Sequence, residues 1–229
     1  GGGTPSLLKI DYFRNILESK FLNRGILPYE FTIEANPGSI SKDLILGLKE
    51  YGLNRVSIGV QSLNDMSLKS IGRIHDSTLA IEAVKLALSC DVDVSVDLML
   101  GIPYQTKDDI KIFIDMMASL GVTHISTYML SLEDGTQLYN QVKEGTINVA
   151  DDDIKAELLD YASSLLKEYG FVRYEVSNFA IKGHEAKHNT KYWKLEDYLG
   201  IGVGAHSLIK NERFYIPDNF EDYYNALTK

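Results

Sequence analysis

One cysteine, one tryptophan and five prolines in 229 residues leave little to cross-link or stiffen this chain. The lone Cys90, within AVKLALSCDV, excludes an internal disulfide and any cysteine cluster built from these residues alone, and it reads as buried helix packing. No apolar run approaches the ~20 residues of a membrane span, and no basic-then-apolar signal opens the chain, so a cytoplasmic setting is expected. Basic residues are in deficit as well. With 23 Lys+Arg against 32 Asp+Glu the net charge is −9, which argues against broad nucleic-acid binding but leaves room for a small anion in a locally positive pocket.

What is present is an ordinary globular composition, 45% hydrophobic and 24% charged, arranged in a repeating order. β-branched runs at 29–37, 55–62, 93–103 and 124–133 alternate with helical patterns at 41–52, 64–72, 76–90 and 106–121. Ser41, Asn64, Asp76 and Thr106 are the expected N-caps, Thr106 with Asp109 in a box-like start, and Gly52 and Gly121 the expected stops. Strands of near-continuous apolar character joined by helices predict a parallel sheet covered on both faces, as an open doubly wound sheet or a barrel. After residue 134 the pattern changes. Helices are expected at 136–145, 150–170 and 219–228 and a strand at 172–180, while 184–207 reads as a functional loop. A first domain at 1–134 and a C-terminal extension at 135–229 are expected.

In either parallel fold, ligands sit at the carboxyl ends of the strands. Glu34, Gln61 and Asp97 interrupt or end apolar strands, so they converge on one rim. A carboxylate at Glu34 suits an amine or ribose hydroxyls, or steadies the Asn36-Pro37-Gly38 turn. Gln61 taken singly reads as satisfying a neighbour's backbone, and Arg73 as a fork for a carboxylate or phosphate, or a solvated helix end. Asp97 is the least ordinary of the four, because a carboxylate between Val96 and Leu98 is costly to bury unless paired. His75 and His124 read as structural, and the histidine spacings fit no compact zinc motif. His188, beside Tyr192 and Trp193 in HNTKYW, suits a flat aromatic ligand with the imidazole on an iron; two aromatics pinning a loop explain the same composition.

GGGTPS, IEANP, SIGVQS with IGRIH, VDLMLGIPYQT and GIGVGAHS occur here in one order. Together they resemble the radical S-adenosylmethionine proteins of the oxygen-independent coproporphyrinogen III oxidase type. YEVSNFA, HNTKYW and GIGVGAHS are most similar to its haem-chaperone branch, HemW. The resemblance implies a partial (β/α)6 barrel lacking its first two strands, with a small α+β extension, the missing strands and a Cys-x3-Cys-x2-Cys loop preceding Gly1. It implies S-adenosylmethionine held by Gly2, Gly3, Thr4, Glu34, Gln61, Arg73 and Asp97, with Leu130 near the adenine; the [4Fe–4S] cluster belongs to the complete protein only. His206 aligns with a further cofactor-contacting position. His188, Asn189, Tyr192 and Trp193 match a haem-binding pattern, with His188 the candidate iron ligand. The implied function is a haem chaperone that passes haem to client proteins. The alternative is an oxidase that converts coproporphyrinogen III to protoporphyrinogen IX. No catalytic residue is assigned.

Overall fold

Alternation of side chains along a strand decides which face each residue serves. In the computed structural model, which describes residues 3–20 and 28–227, four parallel strands run in order: β1 (Thr32–Ala35), β2 (Arg55–Gln61), β3 (Asp93–Leu100) and β4 (His124–Met129). One parity is apolar: Ile33, Val56, Ile58, Val94, Val96 and Ile125 are all buried in one core. The other parity is polar. Glu34 pairs in register with Ser57, Ser57 with Ser95, Ser95 with His124, and Asp97 with Ser126. The strands, expected to be near-continuously apolar and covered on both faces, instead present one oily and one polar face.

Helices cover the oily face. After α1 (Ile10–Lys20), which sequence analysis did not assign, come α2 (Lys42–Lys49), α3 (Asp65–Ser70), α4 (Ser77–Leu88) and α5 (Lys107–Leu120). Leu48 of α2, Val84 of α4, and Ile110 and Phe113 of α5 are fully buried with the strand residues. The expected caps form: Ser41 accepts from Leu44 N, Asn64 from Met66 N and Ser67 N, Asp76 from Leu79 N, and Thr106 from Asp109 N. Gly121 ends α5 at φ 90°, a conformation open to glycine at no steric cost.

Beyond β4, α6 (Gln137–Lys143) and α7 (Asp152–Glu168) follow as expected, and Ala162 and Leu166 of α7 are fully buried. The single strand expected at 172–180 is instead a hairpin, β5 (Val172–Arg173) and β6 (Asn178–Ala180). β6 pairs antiparallel with β4, giving the six-stranded order β1-β2-β3-β4-β6-β5.

By compactness the described chain divides at Glu185–Ala186. The reason is that α7 and the β5–β6 hairpin join the core of the first unit. The second unit holds α8 (Lys187–Trp193), α9 (Phe220–Leu227) and an antiparallel hairpin, β7 (His206–Ile209) and β8 (Glu212–Tyr215). Its turn residues, Lys210 and Asn211, both have positive φ, as a two-residue hairpin loop needs. HNTKYW thus lies on a helix, not in the expected loop.

Candidate functional site

A cleft of about 230 Å³ opens on the polar face at the carboxyl ends of β1, β2 and β3. Gly3, Thr4, Glu34, Gln61, Arg73 and Asp97 all line it, as do Asn36, Ser57, Gly59 and Tyr128, which sequence analysis had not placed in a ligand site. Gly2 lies outside the described residues. Leu130 is buried past the end of β4, its N–H bonded to the Leu100 carbonyl, and does not line the cleft.

Asn36 joins two walls. Its Oδ1 accepts from the Arg73 guanidinium at 2.8 Å, and its Nδ2 donates to the Thr4 hydroxyl at 3.0 Å. Ser39 accepts from the Asn36 N–H at 3.0 Å and lies 2.5 Å from the Ser6 hydroxyl, which seats the N-terminal loop against the turn after β1. Asn36, at the head of the Asn36-Pro37-Gly38 turn, was the available signal for this role.

Gln61 departs from its expected role. The ladder between β2 and β3 shifts register between Ile58 and Gln61, and Gln61 takes φ 68°, a strained conformation for a residue with a side chain. Its Oε1 is buried with no hydrogen-bond partner. A lone pair left bare in this way costs free energy unless a ligand donor meets it. Gly59 makes the approach possible, since a Cβ there would stand 3.2 Å from Gln61 Nε2 and 3.4 Å from Asn36 Oδ1.

Burial raises the Asp97 carboxyl to about 6; the Ser126 hydrogen bond draws it down, the Glu34 charge adds to the rise, and Arg73 opposes it. Burial also draws the Arg73 guanidinium below its ordinary value, with Asp97 opposing. The cleft therefore offers two carboxylates and one bare amide oxygen as acceptors and one planar cation as a donor. That set suits a ligand carrying an ammonium or hydroxyls together with a carboxylate.

The remaining histidines of the first unit serve the scaffold. His75 Nε2 donates to the Val60 carbonyl at 3.2 Å. His124 bridges the Ser95 hydroxyl at 2.7 Å and the Tyr174 hydroxyl at 2.8 Å, and burial drives it down to about 3. His184 Nδ1 lies 2.7 Å from Asp93 Oδ1. Cys90 is buried, its thiol toward the Leu86 carbonyl, as expected.

In the second unit, α8 turns His188 and Tyr192 to one face, with His188 Nε2 2.7 Å from the Tyr192 hydroxyl and the rings edge to face. Tyr192 packs edge to face on Tyr198. Trp193 is exposed, Asn189 half-buried, and His206 is exposed beside Tyr215.

Residues 1–117, just over half of the chain, match the sequence profile of the radical SAM superfamily. The chain belongs to that superfamily. It is 36% identical over 217 residues to the haem chaperone HemW of Lactococcus lactis, covering 93% of this chain and 57% of that protein. It is 41% identical over 209 residues to the mouse mitochondrial radical S-adenosyl methionine domain-containing protein 1, covering 90% and 47%. Among solved structures, the coproporphyrinogen III oxidase of Escherichia coli, a radical SAM enzyme, superposes with a TM-score of 0.79 at 20% identity, covering 99% of this chain and 55% of that one. The radical SAM fold is thereby shown, and the chain spans a little over half the length of those HemW relatives. Radical SAM proteins use S-adenosylmethionine with a [4Fe–4S] cluster; with one cysteine, buried in the core, residues 1–229 do not supply its three thiolates. Among the described residues no helix is long and apolar enough to cross a membrane.

Proposed function

We propose that this chain belongs to a haem chaperone of the HemW type, which binds haem on the second unit and S-adenosylmethionine in the cleft of the first. The observation that carries the reading is the likeness to HemW proteins of several bacteria, at 36% identity and at least 91% of this chain, joined to the HNTKYW helix. His188 is the iron ligand in this reading, and the exposed Trp193, Leu195 and Leu199 offer apolar surface to the macrocycle. Haem is cargo here, destined for haem-requiring client proteins in the cytoplasm.

The cleft fits the methionyl and ribose groups of S-adenosylmethionine. Arg73 would face the carboxylate, and Glu34, Asp97 and the bare Gln61 Oε1 would accept from the ammonium and hydroxyls. Gly3 and Thr4 would bring backbone close to the same end, with Gly2 before them, and Leu130 would stay behind the adenine. When bound at its cluster, S-adenosylmethionine supplies radical chemistry; this chain's residues hold it, orient it and restrict water.

The test is a titration of ferric haem into the protein and its His188→Ala variant, followed by absorbance. The variant is expected to bind at least about ten-fold more weakly, and equal affinities would overturn the assignment. Anaerobic turnover of coproporphyrinogen III to protoporphyrinogen IX would instead make the protein an oxidase.

A further inference from the structure

The imidazole that would meet iron is already engaged. His188 and Tyr192 lie one helical turn apart, and the phenol oxygen stands 2.7 Å from Nε2, the ring nitrogen farther from the backbone. The phenol is held there from both sides. Its ring meets the His188 ring edge to face at 5.0 Å and the Tyr198 ring edge to face at 4.5 Å.

We infer that Tyr192 is a cap on His188 that haem must displace, so that this tyrosine sets how loosely the cargo is held. The inference rests on the reading of His188 as the haem ligand. An imidazole ligates iron through a lone pair, and in the tautomer with the proton on Nδ1 that lone pair on Nε2 is the one to which the Tyr192 hydroxyl donates. On loading, the O–H···Nε2 hydrogen bond breaks and an Nε2–iron bond forms. The phenol keeps its proton, the imidazole keeps its Nδ1 proton, and nothing is oxidised or reduced. In the other tautomer Nε2–H donates to the phenol oxygen, and the phenol again favours the form that cannot ligate. Both arrangements set the Tyr192 hydrogen bond against the iron bond. On unloading, the phenol is at hand to take the nitrogen back, which suits a protein that must give haem up. Tyr192 is thus a positioning residue that acts through His188.

Tyr192→Phe removes the hydroxyl and keeps both ring contacts. Ferric haem titrations, read by absorbance, should be run on the protein, Tyr192→Phe, His188→Ala and the double variant. A typical net hydrogen bond corresponds to about five-fold in affinity, so Tyr192→Phe is expected to bind haem about five-fold tighter and to release it more slowly to apomyoglobin. On the His188→Ala background the same change should have no effect, an outcome that a merely structural tyrosine would not produce. Unchanged or weaker binding by Tyr192→Phe, with His188→Ala clearly impaired, would overturn the cap and leave His188 as ligand. Equal binding by His188→Ala and the unaltered protein would overturn the haem reading itself and the cap with it.

Discussion

Asp97 shows what one residue costs in order to be useful. Its carboxyl is raised to about 6 from an ordinary 3.8, chiefly by burial. Above pH 6 the folded protein must hold a charge that the unfolded chain solvates freely, so the penalty is fully present. As pH falls from 6 toward 3.8 the folded state takes up a proton that the unfolded state does not, and stability is regained. Below that range both states are protonated and the penalty is gone. Asp97→Asn is therefore expected to raise the melting temperature by a few degrees, on the order of 2–4 °C per kcal/mol, at pH 7.5 and by nothing at pH 3.5. S-adenosylmethionine affinity should move the opposite way, weakening in the unaltered protein as pH falls below 6 and changing little with pH in the variant. Asp97 was legible in sequence because a carboxylate inside an apolar run demands a reason. The bare oxygen and positive φ of Gln61 were not, since both depend on how the side chain and backbone sit where the β2–β3 ladder shifts register.

At the scale of elements, caps were the most legible feature because they act within one turn of their own residue. Asn64 does more than cap. Its Oδ1 takes the N–H groups of Met66 and Ser67, and its Nδ2 donates to Asp109 Oδ1 at 3.1 Å, tying the start of α3 to that of α5. Asn64→Ala is expected to cost about 1–2 kcal/mol in urea unfolding, and Asn64→Ser, which keeps an oxygen for the cap, about half of that. Equal losses would show that the tie to α5, not the cap, carries the effect. The missed elements have local reasons too. α8 begins at Ala186 with no side-chain cap, so HNTKYW gave no start signal. Residues 172–180 read as one strand in sequence because β5 and β6 are only two and three residues long.

Across the whole molecule, buried surface is shared unequally. The first unit packs four strands and their helices around residues with no exposed surface, whereas only Ser207 and Leu208 are buried among the described residues of the second. Few buried contacts mean a low free energy of local opening. Hydrogen exchange is expected to be slowest in β2 and β3 and fastest, by at least about a hundred-fold, in residues 186–227, with added haem slowing α8 selectively. Uniform protection along the chain would contradict this.

The alternation of strands and helices, the caps, the carboxyl rim and the order of the family motifs were all determined by sequence, because each depends on neighbours within a few residues or on a pattern repeated along the chain. Tertiary structure alone decided that the sheet has one polar face, that α7 and the β5–β6 hairpin belong with the first unit, and that Asn36 joins Thr4 to Arg73. It also decided that Tyr192 covers His188. These depend on register and on the direction of single side chains across space. Spacing along a chain limits such contacts, but only packing selects among them.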